Sequence, residues 1–157
     1  MLKKTCAEAL GKVPSGIFVV TTKDGSKEAV LLASWVQQAS FEPPKLTMAV
    51  HRDRLINQML KDNQPFAIHI LGKDQKKLFQ RFSKSIGPHE KPFNGLEVIQ
   101  GSTGVPILKE AMAVIECRVK GRVPAGDHDL IIADIVDGSL SFDGDPRVHV
   151  RRNGLSY

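Results

Sequence analysis

A double proline at Pro43-Pro44 sets the strongest local limit on how this chain can fold. Residues 28–42 ahead of it (EAVLLASWVQQASFE) are rich in aliphatic, β-branched and aromatic side chains, which favours an extended strand. Proline fixes φ and has no N–H to give to a ladder, so such a run has to leave its sheet there. Residues 45–50 (KLTMAV) then read as the next strand, entered through the turn that the prolines stiffen. The first strand carries Ser34, Gln37, Gln38 and Ser40 where a core element should be apolar. Buried polar groups need hydrogen-bond partners, and a bound ligand is one way to supply them.

The flanking sequence repeats the strand-and-turn pattern. Cys6, Ala7, Ala9 and Leu10 predict a short amphipathic helix over 3–12, broken at Val13-Pro14. Residues 17–22 (IFVVTT) predict a strand that turns at Asp24-Gly25 into the strand opening near Glu28, a hairpin. Leu55, Ile56, Met59 and Leu60 have helical spacing, which places His51, Arg52 and Arg54 at a strand end beside a helix start. Further on, 66–71 reads as a strand and 73–82 as a helix burying Leu78, Phe79 and Phe82, its lysines forming a solvated face. Residues 83–103 are a long excursion with one short strand over 96–99. Two more strands, 111–119 and 130–136, are expected to pair through a turn spanning 120–129, and 147–150 forms a last strand. Hairpin connections with few helices predict a mainly β antiparallel barrel or sandwich with short peripheral helices.

Composition narrows the class. A chain of 157 residues with 41% hydrophobic content fits one domain over 1–157. No apolar run approaches the roughly 20 residues of a membrane span, and no signal-like segment follows Met1, so a cytoplasmic protein with no membrane partner is expected. Cys6 and Cys117 lack metal-ligand or CxxC spacing. The net charge of +5 favours an anionic partner, but no Lys/Arg stripe or stacked aromatics point to nucleic acid. Neither GxGxxG nor GxxxxGK[ST] occurs, so any nucleotide is held another way.

Four features could carry chemistry, each with a structural alternative. Ser34 and Ser40 either bond backbone at a bulge or face a ligand, and Trp35 either packs in the core or lines a site. His51, Arg52 and Arg54 are either a solvated helix start or a phosphate site, since free N–H groups and guanidinium donors there favour an anion. His128, between Asp127 and Asp129, is either a turn residue or a site histidine.

GKVPSGIFVVTT, then LLASWVQQASFEPPKLTMAV, then FAIHIL with KLFQRF downstream, then ECRVKGRVPAGDHDLIIADIVDG, together resemble the flavin reductase-like family across nearly the whole chain. The wording ASWVQQASFEPP is most like the flavin reductase module at the C-terminus of some cyanobacterial flavodiiron proteins. The resemblance implies a Greek-key, FMN-binding split β-barrel, a homodimer with flavin near the subunit interface, and hydride transfer from NADH or NADPH to flavin. It implies that Ala33, Ser34, Trp35 and Val36 line the flavin ring, that Ser40 helps hold the ribityl-phosphate end, and that His51, Arg52 and Arg54 meet the phosphate. Asp127-His128 matches the family's Gly-Asp-His motif, with His128 facing the nicotinamide side, and Phe82 and Tyr157 flank the site. Electrons would pass to free flavin or to a partner protein or diiron domain. The alternative is an FMN electron-transfer module that does not use pyridine nucleotide. Here Ala-Ser-Trp-Val replaces the more usual Thr/Ser-rich run, which leaves more of the flavin binding to backbone N–H groups.

Overall fold

The computed structural model describes residues 3–84, 86 and 90–156. Helix α1 (Lys4–Gly11) is followed by strands β1 (Ser15–Gly16), β2 (Phe18–Asp24), β3 (Lys27–Ala33), β4 (Val36–Phe41) and β5 (Pro44–His51). Next come α2 (Leu55–Met59), β6 (Pro65–Ile70) and α3 (Lys76–Ser83). Strands β7 (Val98–Gln100), β8 (Pro106–Leu108), β9 (Ala113–Ala125), β10 (His128–Leu140) and β11 (Val148–His149) complete the order. Among the described residues no helix is long and apolar enough to cross a membrane.

Seven strands form one antiparallel sheet in the order β3-β2-β6-β9-β10-β5-β4. Its two outermost strands, β3 and β4, are consecutive in sequence and separated only by Ser34-Trp35. Two residues reach only about 7 Å, so a sheet seven strands wide must curl until its edges nearly meet. The result is a barrel split between β3 and β4, which share no ladder.

Alternation along the strands gives the sheet two apolar faces. Val20, Met48, Phe66, Ile68, Cys117 and Ile131 point into the barrel. Their neighbours Val19 and Ala67 point outward, where Leu78 and Phe82 of α3 and Ile107 and Leu108 of β8 cover them. The helix over 73–82 therefore buries Leu78 and Phe82 as its spacing predicts, with Phe79 packed beside them.

Three expectations from the sequence are corrected. The run before the double proline is two strands rather than one, and its polar residues are not core groups. β4 is the sheet's last strand, and Gln37 and Gln38 are exposed on it. Residues 120–129 are mostly ladder: β9 and β10 continue as a hairpin to the Ala125–His128 pairing, with Gly126 at φ +66° in the turn. Within the excursion the short strand lies at Val98–Gln100, two residues later than expected, because it pairs with β8. Buried Glu116 anchors the end of this excursion by accepting the Ser102 and Thr103 amides at 3.0 and 2.9 Å. A Cβ on Gly101 would sit 2.6 Å from the Glu116 carboxylate, so the approach requires glycine. Burial raises the Glu116 pKa, but donors from Thr103 and Ser102 outweigh it and hold the carboxyl below its ordinary range.

His69 joins the sheet to its outer layer. Its Nδ1 lies 2.8 Å from the Val19 carbonyl, and Nε2 accepts the Leu108 amide at 3.0 Å. An acceptor Nε2 leaves the proton on Nδ1, so the ring is held neutral. Complete burial pushes its pKa down to about 4 from 6.5, against opposing effects of the Val19 carbonyl and Glu116. Because the folded pKa is depressed, the unfolded chain takes up this proton first as pH falls. The stability it contributes is complete above pH 6.5 and is lost towards pH 4. The thermal midpoint should therefore decline below pH 6.5, before the carboxylates titrate. A His69→Asn variant, less stable at pH 7.5, should decline less in that window; an equal decline would assign the effect elsewhere.

Candidate functional site

The split in the barrel creates the site. Strand β3 bonds only β2, so its outer edge offers backbone N–H and C=O groups with no strand beside them. A cleft of about 510 Å³ runs along that edge. Ala29, Leu31, Ala33 and Ser34-Trp35 form one wall, Val50, His51, Arg54 and Ile56 come from the end of β5 and the start of α2, and Phe82-Ser83-Lys84 close the α3 side. The lining is mixed: Val50, Ile56 and Phe82 are buried apolar groups, while Arg54 and Lys84 are exposed cations that share the lining with the carboxylates of Glu28, Asp53 and Glu90. Helix α2 is only five residues long, so the anion preference expected at its start rests on Arg54 rather than on a developed helix dipole.

Beside the Trp35 end lies a compact group of rings. The Trp35 and His128 ring centroids are 4.9 Å apart, and His51 meets His128 edge-on at 5.0 Å. Register explains the second contact, since His128 and His51 are paired residues at the joined ends of β10 and β5. Asp127 Oδ1 is 2.6 Å from His128 Nδ1, and its other oxygen is 3.8 Å from His51 Nε2. The His128 hydrogen bond is the main reason the Asp127 carboxyl stays below its ordinary range. His51 Nδ1 accepts the Asp53 amide at 3.2 Å, which leaves Nε2 as the proton-bearing nitrogen facing Asp127. The Arg151 guanidinium also lies over the Trp35 ring, 4.9 Å from its centroid.

A second network holds this group in place. Asp129, nearly buried, accepts Arg52 Nε at 3.1 Å and Arg122 Nη1 at 2.6 Å. Arg122 also donates to Asn57 Oδ1 at 2.7 Å and to the Leu60 carbonyl at 2.7 Å, tying the β9–β10 hairpin to α2. Burial alone would raise the Asp129 pKa, but Arg122, Arg52 and Asn57 hold it low. This network fixes the turn carrying Asp127-His128 against the one carrying His51 and Arg54.

Ala33, Ser34, Trp35, His51, Arg54 and Phe82 thus come together on the cleft. His128 stands behind Trp35 and His51 rather than in the lining. Val36 and Ser40 lie on β4, away from the lining, and Ser40 pairs with Lys45 in the ladder. Arg52 turns to Asp129 and not to the cleft. Tyr157 lies outside the described residues. Sequence reasoning missed Lys84, Arg122 and Arg151. Lys84 falls in the excursion over 83–103, where the sequence assigns no site, and only tertiary structure brings Arg122 and Arg151 to the site.

Residues 10–154 match the family model described as a flavin reductase like domain. Putative diflavin flavoprotein A 6 of Nostoc is 36% identical over 152 residues, covering 96% of this chain and 27% of that protein. Putative diflavin flavoprotein A 3 of Synechocystis is 38% identical over 151 residues, covering 96% of this chain and 25% of that protein. The chain therefore spans about a quarter of the length of these relatives. Among solved structures, the Streptomyces globisporus C-1027 NADH:FAD oxidoreductase SgcE6 has a TM-score of 0.83 at 24% identity, over 91% of this chain and 85% of that one. Flavin reductase PheA2 has a TM-score of 0.79 at 27% identity, over 96% of this chain and 94% of that one. With a match over most of its length, on a barrel whose split edge opens a cleft, this chain belongs to the flavin reductase-like family.

Proposed function

We propose that the chain works as one flavin-binding domain, an NAD(P)H:flavin oxidoreductase that holds FMN in the cleft beside β3. The observation that carries this reading is the cleft itself: a slot along an unpaired strand edge, with buried apolar groups and exposed cations in its lining and His128 behind the ring-lined end. Its chemistry fits a flavin. A planar heteroaromatic ring suits the walls of Ala33, Val50, Ile56 and Phe82, its polar edge suits the β3 backbone and Ser34, and a phosphate suits Arg54 and Lys84. When bound, the flavin supplies the redox chemistry, accepting a hydride from reduced nicotinamide and passing its electrons to free flavin or a partner acceptor.

The protein's contribution is placement. Trp35 and His51 bound one end of the cleft and exclude water there. His128, its ring fixed through Nδ1 by Asp127 and packed beside Trp35 and His51, is the side chain proposed to help orient a nicotinamide. The family's NADH:FAD oxidoreductase, one structure of which is a complex with NAD and FAD fragments, supports a pyridine nucleotide as donor. A homodimer with the flavin near the subunit interface accords with the family resemblance. The second reading is an electron-transfer module fed by other proteins; it is favoured by the chain spanning only a quarter of its diflavin relatives.

Purified protein with FMN should bleach the oxidised-flavin absorbance anaerobically when NADH or NADPH is added. Bound flavin that neither nucleotide bleaches would favour the module. His128→Ala should keep FMN bound but raise the KM for NAD(P)H or slow reduction about tenfold; unchanged kinetics would remove His128 from the site. Arg54→Ala should weaken FMN binding several-fold, measured by quenching of flavin fluorescence. Arg52→Ala should instead cost about 1 kcal/mol of stability, as for a half-exposed ion pair, and leave FMN affinity alone. The opposite pattern would move the phosphate to Arg52.

A further inference from the structure

Beside the flavin cleft, at Lys84, lies a second hollow of about 500 Å³. Lys84, Ile86 and Glu90 line both, so the two adjoin. Lys77 and Arg81 lie one turn apart on α3, Lys84 follows its last residue, and Lys91 shares the lining with them, with Glu90 the only acid in the described lining. None of Lys77, Lys84 and Lys91 forms an ion pair with another described residue. The wall is also built rather than incidental. Arg81 Nη2 donates to the Asn94 carbonyl at 3.0 Å and lies 3.4 Å from that of Pro92, pinning the Lys91 flank to the helix.

A concave surface with four cations and one acid is a poor place for a neutral group and a good one for phosphate. Lysine ammonium groups act as point charges on phosphate oxygens, and a cluster of them with no acidic partners raises the local anion concentration. The flavin reading already places one phosphate at Arg54 and Lys84. A cationic hollow adjoining the cleft at Lys84 then suits a ligand with a further phosphate some distance beyond the first. We infer that this hollow is a subsite for the adenosine-bearing phosphate of a dinucleotide: the second phosphate of FAD, or the 2′-phosphate that distinguishes NADPH from NADH. The inference rests on the flavin reading of the adjoining cleft. It gives the lysines of α3 a role beyond solvation, and it makes the hollow, not the ring pocket, the element that discriminates between ligands sharing the same reactive ring.

The test is a set of binding titrations on the whole chain and on Lys77→Ala/Lys91→Ala, two residues that line only the hollow. FMN and FAD are followed by flavin fluorescence, and 2′,5′-ADP and 5′-AMP by calorimetry. An FAD affinity about tenfold lower in the variant, with FMN unchanged, assigns the hollow to the flavin's second phosphate. A similar loss for 2′,5′-ADP but not for 5′-AMP assigns it to the 2′-phosphate. Either loss should shrink as salt is raised. Changes below twofold for all four ligands, or an equal loss for FMN and FAD, overturn the subsite. Wild-type protein that binds FMN while the variant's FAD and 2′,5′-ADP affinities stand unchanged sinks the hollow alone. Wild-type protein that binds no flavin sinks the reading of the cleft as well.

Discussion

The two-residue link between β3 and β4 is the constraint on which the rest of the molecule depends. Every strand of the main sheet finds its neighbours by ordinary antiparallel pairing, and that would be satisfied by an open, twisted sheet. Joining the outermost strands through Ser34-Trp35 removes that option and forces closure without completing it. A fully bonded barrel would satisfy the β3 edge with another strand and leave no cleft. An open sheet would leave the edge flat and accessible to other chains, a liability that folded proteins cover or interrupt. Here the edge is walled by the start of α2 and the end of α3, so its free backbone groups face a slot of ligand size.

Closure also decides which side chains meet. The ends of β5 and β10 are paired residue for residue, so His51 and His128 are juxtaposed by register alone. Trp35 arrives from the link, and the tail returns Arg151 over its ring. That tail is fastened to α1 by backbone contacts close enough that both Gly11 and Gly154 lack room for a Cβ; at Gly154 it would fall 2.1 Å from the Leu10 Cβ. The first helix, which contributes nothing to the cleft, thus bears on the site by holding the segment that carries Arg151.

Much of this could be read from the residues. Local alternation and turn chemistry locate the β2–β3 hairpin at Asp24-Gly25, the strand after Pro44 and the buried face of α3. The Ser34-Trp35 break was hidden because neither residue is a strong turn former, and the need for it is topological rather than local. The polar run of β4 pointed to a buried ligand because sequence cannot tell an edge strand from a central one; exposure of Gln37 and Gln38 removes that need. The hairpin over 120–129 reads as a turn because Pro124 and Gly126 fall within it. Only Gly126 has positive φ, and the β9–β10 ladder carries Pro124 opposite Asp129 near its end. For the site, roles for 33–36 and 127–128 are proposed from the family resemblance alone; of these residues Ala33, Ser34 and Trp35 line the cleft and Val36 and His128 do not, while the different directions of Arg52 and Arg54 are set by tertiary partners.

Charge shows the same limit of composition. A surplus of +5 invites a search for an anionic partner, yet cations count only where no carboxylate already answers them. Arg52 and Arg122 are spent on Asp129, and Lys45 is bonded to Asp134. Lys109 pairs with Glu97 on the surface. What remains unanswered beside the cleft is Arg54 at one wall and the Lys77, Lys84 and Lys91 group beyond the other. Cations placed beside a cleft act on a ligand's anionic groups locally, so their positions matter more than the chain's net charge. The basic isoelectric point near 9.3 is thus the sum of many locally answered charges, and it says less about a partner than the few cations beside the cleft do.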